Sequence, residues 1–107
     1  MLDLTWIKEC VMKNDFYFSR HADIERQTDN LTVWEVEEAL NTGIILEHYD
    51  DTGRGESCLV VGFTEMGKSI HIVCGRRGKA LAIITVYIPL PPKFRTPYER
   101  GNKDENL

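Results

Sequence analysis

The sequence predicts a single α+β domain in which two or three N-terminal helices pack on a four-stranded antiparallel meander sheet. Two observations carry this prediction. Apolar residues recur at helical spacing up to residue 43, and four runs rich in β-branched and aromatic residues follow from Ile44. The length of 107 residues suits one hydrophobic core. We assign residues 1–92 to this domain and expect the polar tail, residues 93–107, to be mobile or extended in the free protein.

The first two helices follow from apolar spacing and from a capping residue. Residues 3–13 place apolar side chains on one helical face, so we expect an amphipathic helix that ends near Asn14. Ser19 is a suitable N-cap for a second helix, which extends to about Gln27.

The third helix has the clearest start signal in the chain. Thr32 is followed three positions later by Glu35, which is the spacing of a capping box. An apolar stripe follows, and Gly43 is the expected end of the helix.

Four strands are predicted by the runs IILEHY, SCLVVGFT, SIHIVCG and ALAIITVYI. The connections DDTGRG, EMGK and RRGK are short and contain glycine, so consecutive strands should pair antiparallel, in sequence order, over residues 44–88. If Arg77-Gly78 is the tip of the last hairpin, His71 lies opposite Ile84. His71 and Tyr87 then lie on opposite faces of the sheet.

Composition and charge exclude several classes of protein. No run approaches the roughly 18 apolar residues of a membrane span, and the N-terminus lacks a basic segment followed by an apolar run. We therefore expect a cytoplasmic protein with no membrane partner. The three cysteines are odd in number and widely spaced, which favours core packing over a disulfide framework.

The net charge of −4 is unevenly distributed. Residues 1–56 hold 13 acidic and 5 basic side chains, whereas residues 57–107 hold 4 acidic and 8 basic side chains. The second half could therefore face a polyanion, although the whole molecule would not attract one at long range.

His21 is the first candidate for chemistry. With Ser19 as the N-cap, Arg20 and His21 fall in the first helical turn, where free backbone N–H groups favour an anion. The same helix dipole helps to keep the imidazole neutral, so His21 could act as a base beside a phosphate. The alternative is an ordinary helix start with a solvated histidine and arginine.

His71 and Tyr87 are further candidates, each with a structural alternative. His71 lies in an apolar strand, where a lone histidine is commonly a hydrogen-bonded core residue. Tyr87 ends the last strand, where its hydroxyl could reach the mouth of a cleft with Thr85 beneath it. Aromatic residues at strand ends also serve as packing.

The alternative to a catalytic role for the histidines is a metal site. Three histidines and two cysteines could act as ligands, but no pair has the C-x-x-C or H-x-x-x-H spacing of a zinc site. We therefore predict no metal and no cofactor. The residues considered are His21, His48, His71, Cys58 and Cys74.

Taken together, several segments resemble one family. FSRHA, LTVWEVEEALNTGIILEHYDD, SCLVVGF, IHIVCG and AIITVYIP match, in order and spacing, the bacterial family called domain of unknown function (DUF) 4258. The resemblance covers roughly residues 16–92. It implies a compact α+β domain related to RelE and barnase-like ribonuclease toxins, whose members are often paired with a small zinc-finger antitoxin.

The resemblance also implies which residues form the site. The family histidine is His21, its strand histidine is His71, and its closing pair is Thr85 and Tyr87. One position departs from the pattern, because Glu25 stands where an arginine commonly follows the first histidine by four residues. This departure favours a binding or inactive version of the fold.

Two functions therefore remain open. The first is a metal-independent endoribonuclease, the toxin of a bacterial toxin–antitoxin pair, with RNA and a zinc-finger antitoxin as partners. Such an enzyme needs a base, an acid and cationic support for the phosphate. The predicted catalytic residues are His21, His71, Tyr87 and Thr85, and the predicted RNA or phosphate contacts are Arg20, Arg26, Lys68, Arg76, Arg77 and Lys79.

The second function is a non-catalytic interaction domain of the same fold, which holds a protein partner in the same cleft or along a sheet edge. The tail gives this alternative some support. Its PLPP segment favours an extended path, and the residues after it are polar enough to order only on binding.

Overall fold

The computed structural model describes residues 2–101 and contains three α-helices and two β-sheets. The elements follow one another in an α+β order, with the helices in the first half of the chain. They are α1 (Leu4–Met12), β1 (Phe16–Phe18), α2 (Arg20–Thr28), α3 (Val33–Thr42), β2 (Ile44–Tyr49), β3 (Ser57–Phe63), β4 (Ser69–Arg77), β5 (Ala80–Tyr87), β6 (Phe94–Thr96) and β7 (Glu99–Arg100).

All three helices begin at a capping side chain. Asp3 accepts a hydrogen bond from the Trp6 amide at the start of α1, and Ser19 caps α2 as predicted. At the start of α3, Thr32 and Glu35 form both hydrogen bonds of the capping box. The sequence prediction of the three helices is confirmed, because caps and apolar spacing are local features.

The main sheet has five strands in the order β1-β5-β4-β3-β2. The four predicted strands, β2 to β5, pair antiparallel in sequence order. The predicted four-stranded antiparallel sheet is nevertheless incomplete, because β1 adds a fifth strand parallel to β5. Three residues are too few to show strand periodicity, and β1 forms only because β5 offers a free edge.

The predicted register of the last hairpin is wrong. Arg77 pairs with Ala80, so the turn lies one residue later than expected, at Gly78-Lys79. Gly78 has a φ of +63°, a conformation that glycine adopts without strain.

A β-bulge in β5 changes the register a second time. The pairing shifts between Cys74, opposite Ile83, and Val73, opposite Thr85, which leaves Ile84 as the extra residue. Beyond the bulge, each β5 side chain points to the face opposite to that expected from strict alternation. His71 therefore lies directly opposite Tyr87 rather than Ile84.

One face of the sheet carries the hydrophobic core. Helices α1 and α3 pack on it, over residues that include Val60, Ile72 and Ile83. Helix α3 approaches β3 so closely that a Cβ atom on Gly62 would lie 1.8 Å from the Ala39 carbonyl oxygen. Only glycine permits this contact between helix and sheet.

Helix α2 lies along the outer edge of β5, beyond the end of β1. The Ser19 hydroxyl donates to the Ile84 carbonyl at the bulge (3.0 Å). Glu25 of α2 accepts a hydrogen bond from the Val86 amide of β5, and Asp29, the C-cap of α2, accepts one from the Ile88 amide just after β5. The helix thus satisfies backbone groups that a further strand would otherwise pair.

The C-terminal segment, which the sequence analysis assigned to a polar tail, contains two short strands. Strands β6 and β7 form a two-stranded sheet, and Phe94 is fully buried. Residues 102–107 of the predicted tail lie outside the described residues. The mobility of the segment in solution stays a prediction. Among residues 2–101, no helix is long and apolar enough to span a membrane.

Candidate functional site

His21 lies in the first turn of α2, because Ser19 caps the helix two residues before it. The Ser19 hydroxyl accepts from the Ala22 amide (3.0 Å), which fixes the helix start. The His21 side chain is 69% exposed, and its Nε2 atom lies 3.2 Å from Oε1 of Glu25, one helical turn later. His21 is therefore accessible and has a carboxylate partner.

A groove of about 320 Å³ separates α2 from the end of β5. His21 and Glu25 line one side and Tyr87 lines the other, so the structure brings two of the predicted site residues to one cavity. The full lining is His21, Ile24, Glu25, Thr28, Asp29, Val86 and Tyr87.

The two carboxylates of the groove are held by backbone amides at the end of β5 and just after it. Glu25 Oε1 accepts from the Val86 amide (3.0 Å), and Asp29 Oδ2 accepts from the Ile88 amide (3.2 Å). An arginine at position 25 could not accept such a bond, because a guanidinium has no acceptor atom. Glu25 thus places a carboxylate, held by the Val86 amide, beside His21.

His71 lies behind Tyr87 on the face of the sheet that α1 and α3 leave uncovered. Its side chain is fully buried. Nδ1 of His71 lies 3.2 Å from the Tyr87 hydroxyl, and Nε2 lies 2.6 Å from the carbonyl oxygen of Pro97. His71 is both a buried, hydrogen-bonded residue and the direct partner of Tyr87.

Burial shifts the pKa values of this pair in opposite directions. Desolvation lowers the pKa of His71, so the imidazole is neutral at pH 7. Desolvation also raises the pKa of Tyr87, which keeps its proton. A neutral imidazole beside a protonated phenol can accept a hydrogen bond from the hydroxyl.

A second polar cluster lies on the same face and was missed in the sequence. Arg100 of β7 makes a bidentate ion pair with Glu47 of β2 (2.7 and 2.8 Å), and Glu47 also accepts from the Tyr49 hydroxyl (2.6 Å). The hydrogen bonds from Arg100 lower the pKa of Glu47 to about 2, whereas burial first, and then Glu47, raise the pKa of Tyr49 to about 12. The only indication of this cluster in the sequence was the spacing of Glu47 and Tyr49, which places both side chains on one face of a strand.

The predicted RNA contacts are scattered over the molecule. Arg26 is bound to Asp23 (2.8 Å), and Lys68 to Glu35 (2.7 Å). Arg76 stacks over Trp6 at 4.0 Å from the ring centroid. These three side chains therefore have structural partners, and none of them lines the groove.

The remaining basic candidates divide between two ends of the sheet. Arg77 and Lys79 lie near the tip of the β4–β5 hairpin, about 20 Å along the strands from His71 at about 3.3 Å per residue. Arg20 is exposed beside His21, at the start of α2.

The remaining predicted catalytic residue is Thr85. It lies in β5, two residues before Tyr87, and pairs with Val73 of β4.

The possible metal ligands do not converge. Within residues 2–101, no group of three or more His, Cys, Asp and Glu side chains is arranged to hold a metal ion. Cys58 and Cys74 face each other across β3 and β4, with their sulfur atoms 3.9 Å apart, and both are buried in the core.

The fold and the groove define a class of protein: a small α+β domain with an exposed histidine at a helix start and a tyrosine–histidine pair at the end of the last long strand. A family model described as domain of unknown function (DUF4258) matches residues 18–88. The chain therefore belongs to the DUF4258 family. No curated protein and no solved structure matches it.

Proposed function

We propose that this protein is a metal-independent endoribonuclease. Cleavage of RNA through its own 2'-hydroxyl requires a base for that hydroxyl and an acid for the departing 5'-oxygen. The position of Tyr87 carries the proposal, because Tyr87 lines the groove together with His21 while its hydroxyl is bonded to His71.

In the proposed reaction, Tyr87 and His71 together act as the base. The 2'-hydroxyl gives its proton to the Tyr87 oxygen as the Tyr87 proton passes to Nδ1 of His71. The freed 2'-oxygen attacks phosphorus, and the bond to the 5'-oxygen breaks. Protonated His21 then donates to that oxygen, which leaves a 2',3'-cyclic phosphate and a 5'-hydroxyl. Oε1 of Glu25 lies 3.2 Å from Nε2 of His21 and can accept a hydrogen bond from it, which orients the imidazole.

Cationic support for the phosphate comes from one residue that the sequence predicted, Arg20, and from one that it did not, Lys93. Lys93 lies over the Tyr87 ring, with Nζ 4.8 Å from the centroid, and Arg20 is adjacent to His21. We assign the contact with the scissile phosphate to these two. Arg77 and Lys79, at the far end of the sheet, would reach only RNA that extends along it.

The proposal includes a biological role as the cytoplasmic toxin of a bacterial toxin–antitoxin pair, with a small zinc-finger antitoxin as its partner. A relationship to the RelE and barnase-like ribonucleases is part of it. Helices packed on one face of a mostly antiparallel sheet support that relationship. Because fold alone does not establish function, RNA cleavage must be tested directly.

The test is cleavage of total bacterial RNA by the purified protein, followed by mapping of new 5' ends. We expect His21→Ala to abolish cleavage and to change the free energy of unfolding by less than about 1 kcal/mol, because the side chain is largely exposed. His48→Ala is the matched control, since His48 is an exposed histidine on β2, outside the groove. Cleavage by His21→Ala at the wild-type rate would overturn the proposal.

A second candidate function is a non-catalytic interaction domain. The observation in its favour is the charge of the groove, because Glu25 and Asp29 line it and its described lining includes no lysine or arginine. Such a groove suits a cationic segment of a partner protein.

This alternative is tested with a lysine- and arginine-rich peptide as the probe. Glu25→Gln keeps an acceptor oxygen for the Val86 amide and removes the charge, so it should weaken peptide binding without unfolding the protein. Wild-type protein that binds the peptide and cleaves no RNA would favour this function over the first.

A further inference from the structure

The C-terminal hairpin, residues 94–100, packs directly on the His71–Tyr87 pair. The Phe94 ring is fully buried, stands edge-on to the His71 ring at 4.4 Å, and lies 6.2 Å from the ring of Tyr87. The hairpin therefore encloses His71 from the side opposite to the helices.

Two further contacts hold the hairpin in place. Arg100 is paired with Glu47 on the distant edge strand β2, and Tyr98 packs against Phe63 of β3 at 6.0 Å. The hairpin thus spans the sheet from β5 to β2. Its anchor at Glu47 is far from Tyr87 in sequence and on a different strand.

The contact between His71 and Pro97 determines where the imidazole carries its proton. A carbonyl oxygen can only accept, so the 2.6 Å contact requires a proton on Nε2 of His71. In a neutral imidazole, Nδ1 then has a lone pair, and the hydroxyl of Tyr87 at 3.2 Å must be the donor.

We propose that the C-terminal hairpin is a positioning element, which uses the Pro97 carbonyl to fix His71 in its Nε2–H tautomer and thereby holds the Tyr87 hydroxyl as a donor to Nδ1. The hairpin acts through His71 and touches no reacting atom. It is therefore part of the site, although it lies outside the matched region, residues 18–88.

The catalytic consequence of this arrangement rests on the proposed function. Only the Nε2–H tautomer leaves Nδ1 free to take the Tyr87 proton, so release of the hairpin would leave the base available in only part of the molecules. The tautomer itself does not depend on RNA cleavage, and it can be measured in the free protein.

The first measurement is the nitrogen-15 NMR spectrum of the histidine side chains in the full-length protein at pH 7. We expect His71 to be a single neutral species with its proton on Nε2. A proton on Nδ1, or an equal mixture of the two tautomers, would overturn the proposal whatever the enzymatic activity.

The second measurement uses Arg100→Gln, which removes the ion pair with Glu47 and leaves the Pro97 backbone intact. We expect the Phe94 and Gly101 amides to exchange about fivefold faster, the upper end of what a partly exposed ion pair contributes. We also expect His71 to populate both tautomers. Arg100→Lys should restore part of each effect, and Arg54→Gln, an exposed arginine in the β2–β3 loop, should change neither.

The two proposals fail in different ways. If wild-type protein cleaves RNA, Arg100→Gln should lower kcat more than it raises KM, and loss of activity without a change in the His71 tautomers would contradict the positioning role. If wild-type protein cleaves no RNA, the proposed function fails, while the tautomer measurement still decides the role of the hairpin.

Discussion

At the scale of single residues, we expect the stability of the protein to depend on pH mainly through two side chains on the sheet face opposite to α1 and α3. Glu47 and His71 both have lowered pKa values, for different reasons. The guanidinium of Arg100 stabilises the charged carboxylate of Glu47, whereas burial destabilises charged His71. Their titrations should therefore appear in different ranges of pH.

Glu47→Gln should destabilise the protein by about 1 kcal/mol at pH 7, because the ion pair is partly exposed. With a folded pKa of about 2, against an ordinary value of 4.5, Glu47 stabilises the fold above pH 4.5. That contribution is lost as the pH falls toward 2. Urea unfolding at several pH values tests this expectation. Glu99→Gln, an exposed position in the same hairpin, should show no such trend.

His71 should make the wild-type protein less stable as the pH falls below 6.5. Its pKa is lowered by burial, so below 6.5 the unfolded chain binds a proton that the folded chain does not. Stability therefore rises with pH up to about 6.5 and then levels off. His71→Gln, which can donate to Pro97 and accept from Tyr87, should lose this dependence in thermal unfolding. An unchanged slope would contradict the assignment.

At the scale of secondary structure elements, the edge of β5 decides how the groove is built. The bulge at Ile84 turns Tyr87 to the face that carries His71, and α2 covers the edge of β5 beyond β1. Without the bulge, strict alternation would have placed Tyr87 against the helices. The pair at the site thus depends on one extra residue in a strand.

Ser19→Ala should cost more than Thr32→Ala, although both remove an N-cap. Each loss of a cap costs about 1 kcal/mol. Ser19 also donates to the Ile84 carbonyl at the bulge, so we expect a total of about 2 kcal/mol for Ser19→Ala. Chemical denaturation of the two variants provides the comparison. Equal losses would show that the bond to the bulge contributes nothing.

At the scale of the whole molecule, the two faces of the sheet have different roles. Helices α1 and α3 cover one face with a continuous apolar core. The other face carries His71, Tyr87 and Glu47, and the C-terminal hairpin covers these side chains. The apolar core and the His71–Tyr87 pair therefore lie on opposite faces of the same sheet.

Gly62→Ala tests how tightly the helical layer is fixed. The added Cβ would overlap the Ala39 carbonyl oxygen, so α3 would have to move away from β3. We expect a loss of about 3 kcal/mol, as for other overpacked cores, measured by the midpoint of urea unfolding. Gly67→Ala is the control, because no atom lies within 4 Å of its Cβ position and only the positive φ opposes it. That strain should cost about 1 kcal/mol. A smaller loss at Gly62 would show that the helix adjusts freely.

The sequence by itself determined the local parts of this protein. Caps and apolar spacing gave the three helices, and β-branched runs with short turns gave the four antiparallel strands, because these signals act between residues close in the chain. They also singled out His21, His71 and Tyr87 as candidates, whose catalytic roles stay predictions.

Only the tertiary structure decided how these parts meet. Strand β1 exists because β5 offers a free edge, Glu25 faces the groove because the Val86 amide needs an acceptor, and Arg100 is fixed by Glu47 across the sheet. Each of these contacts joins residues that are distant in the chain. Glu25 and Val86 are 61 residues apart, and Glu47 and Arg100 are 53 residues apart. Local propensity carries no record of such partners, because the backbone and charged groups become paired only when folding removes them from water.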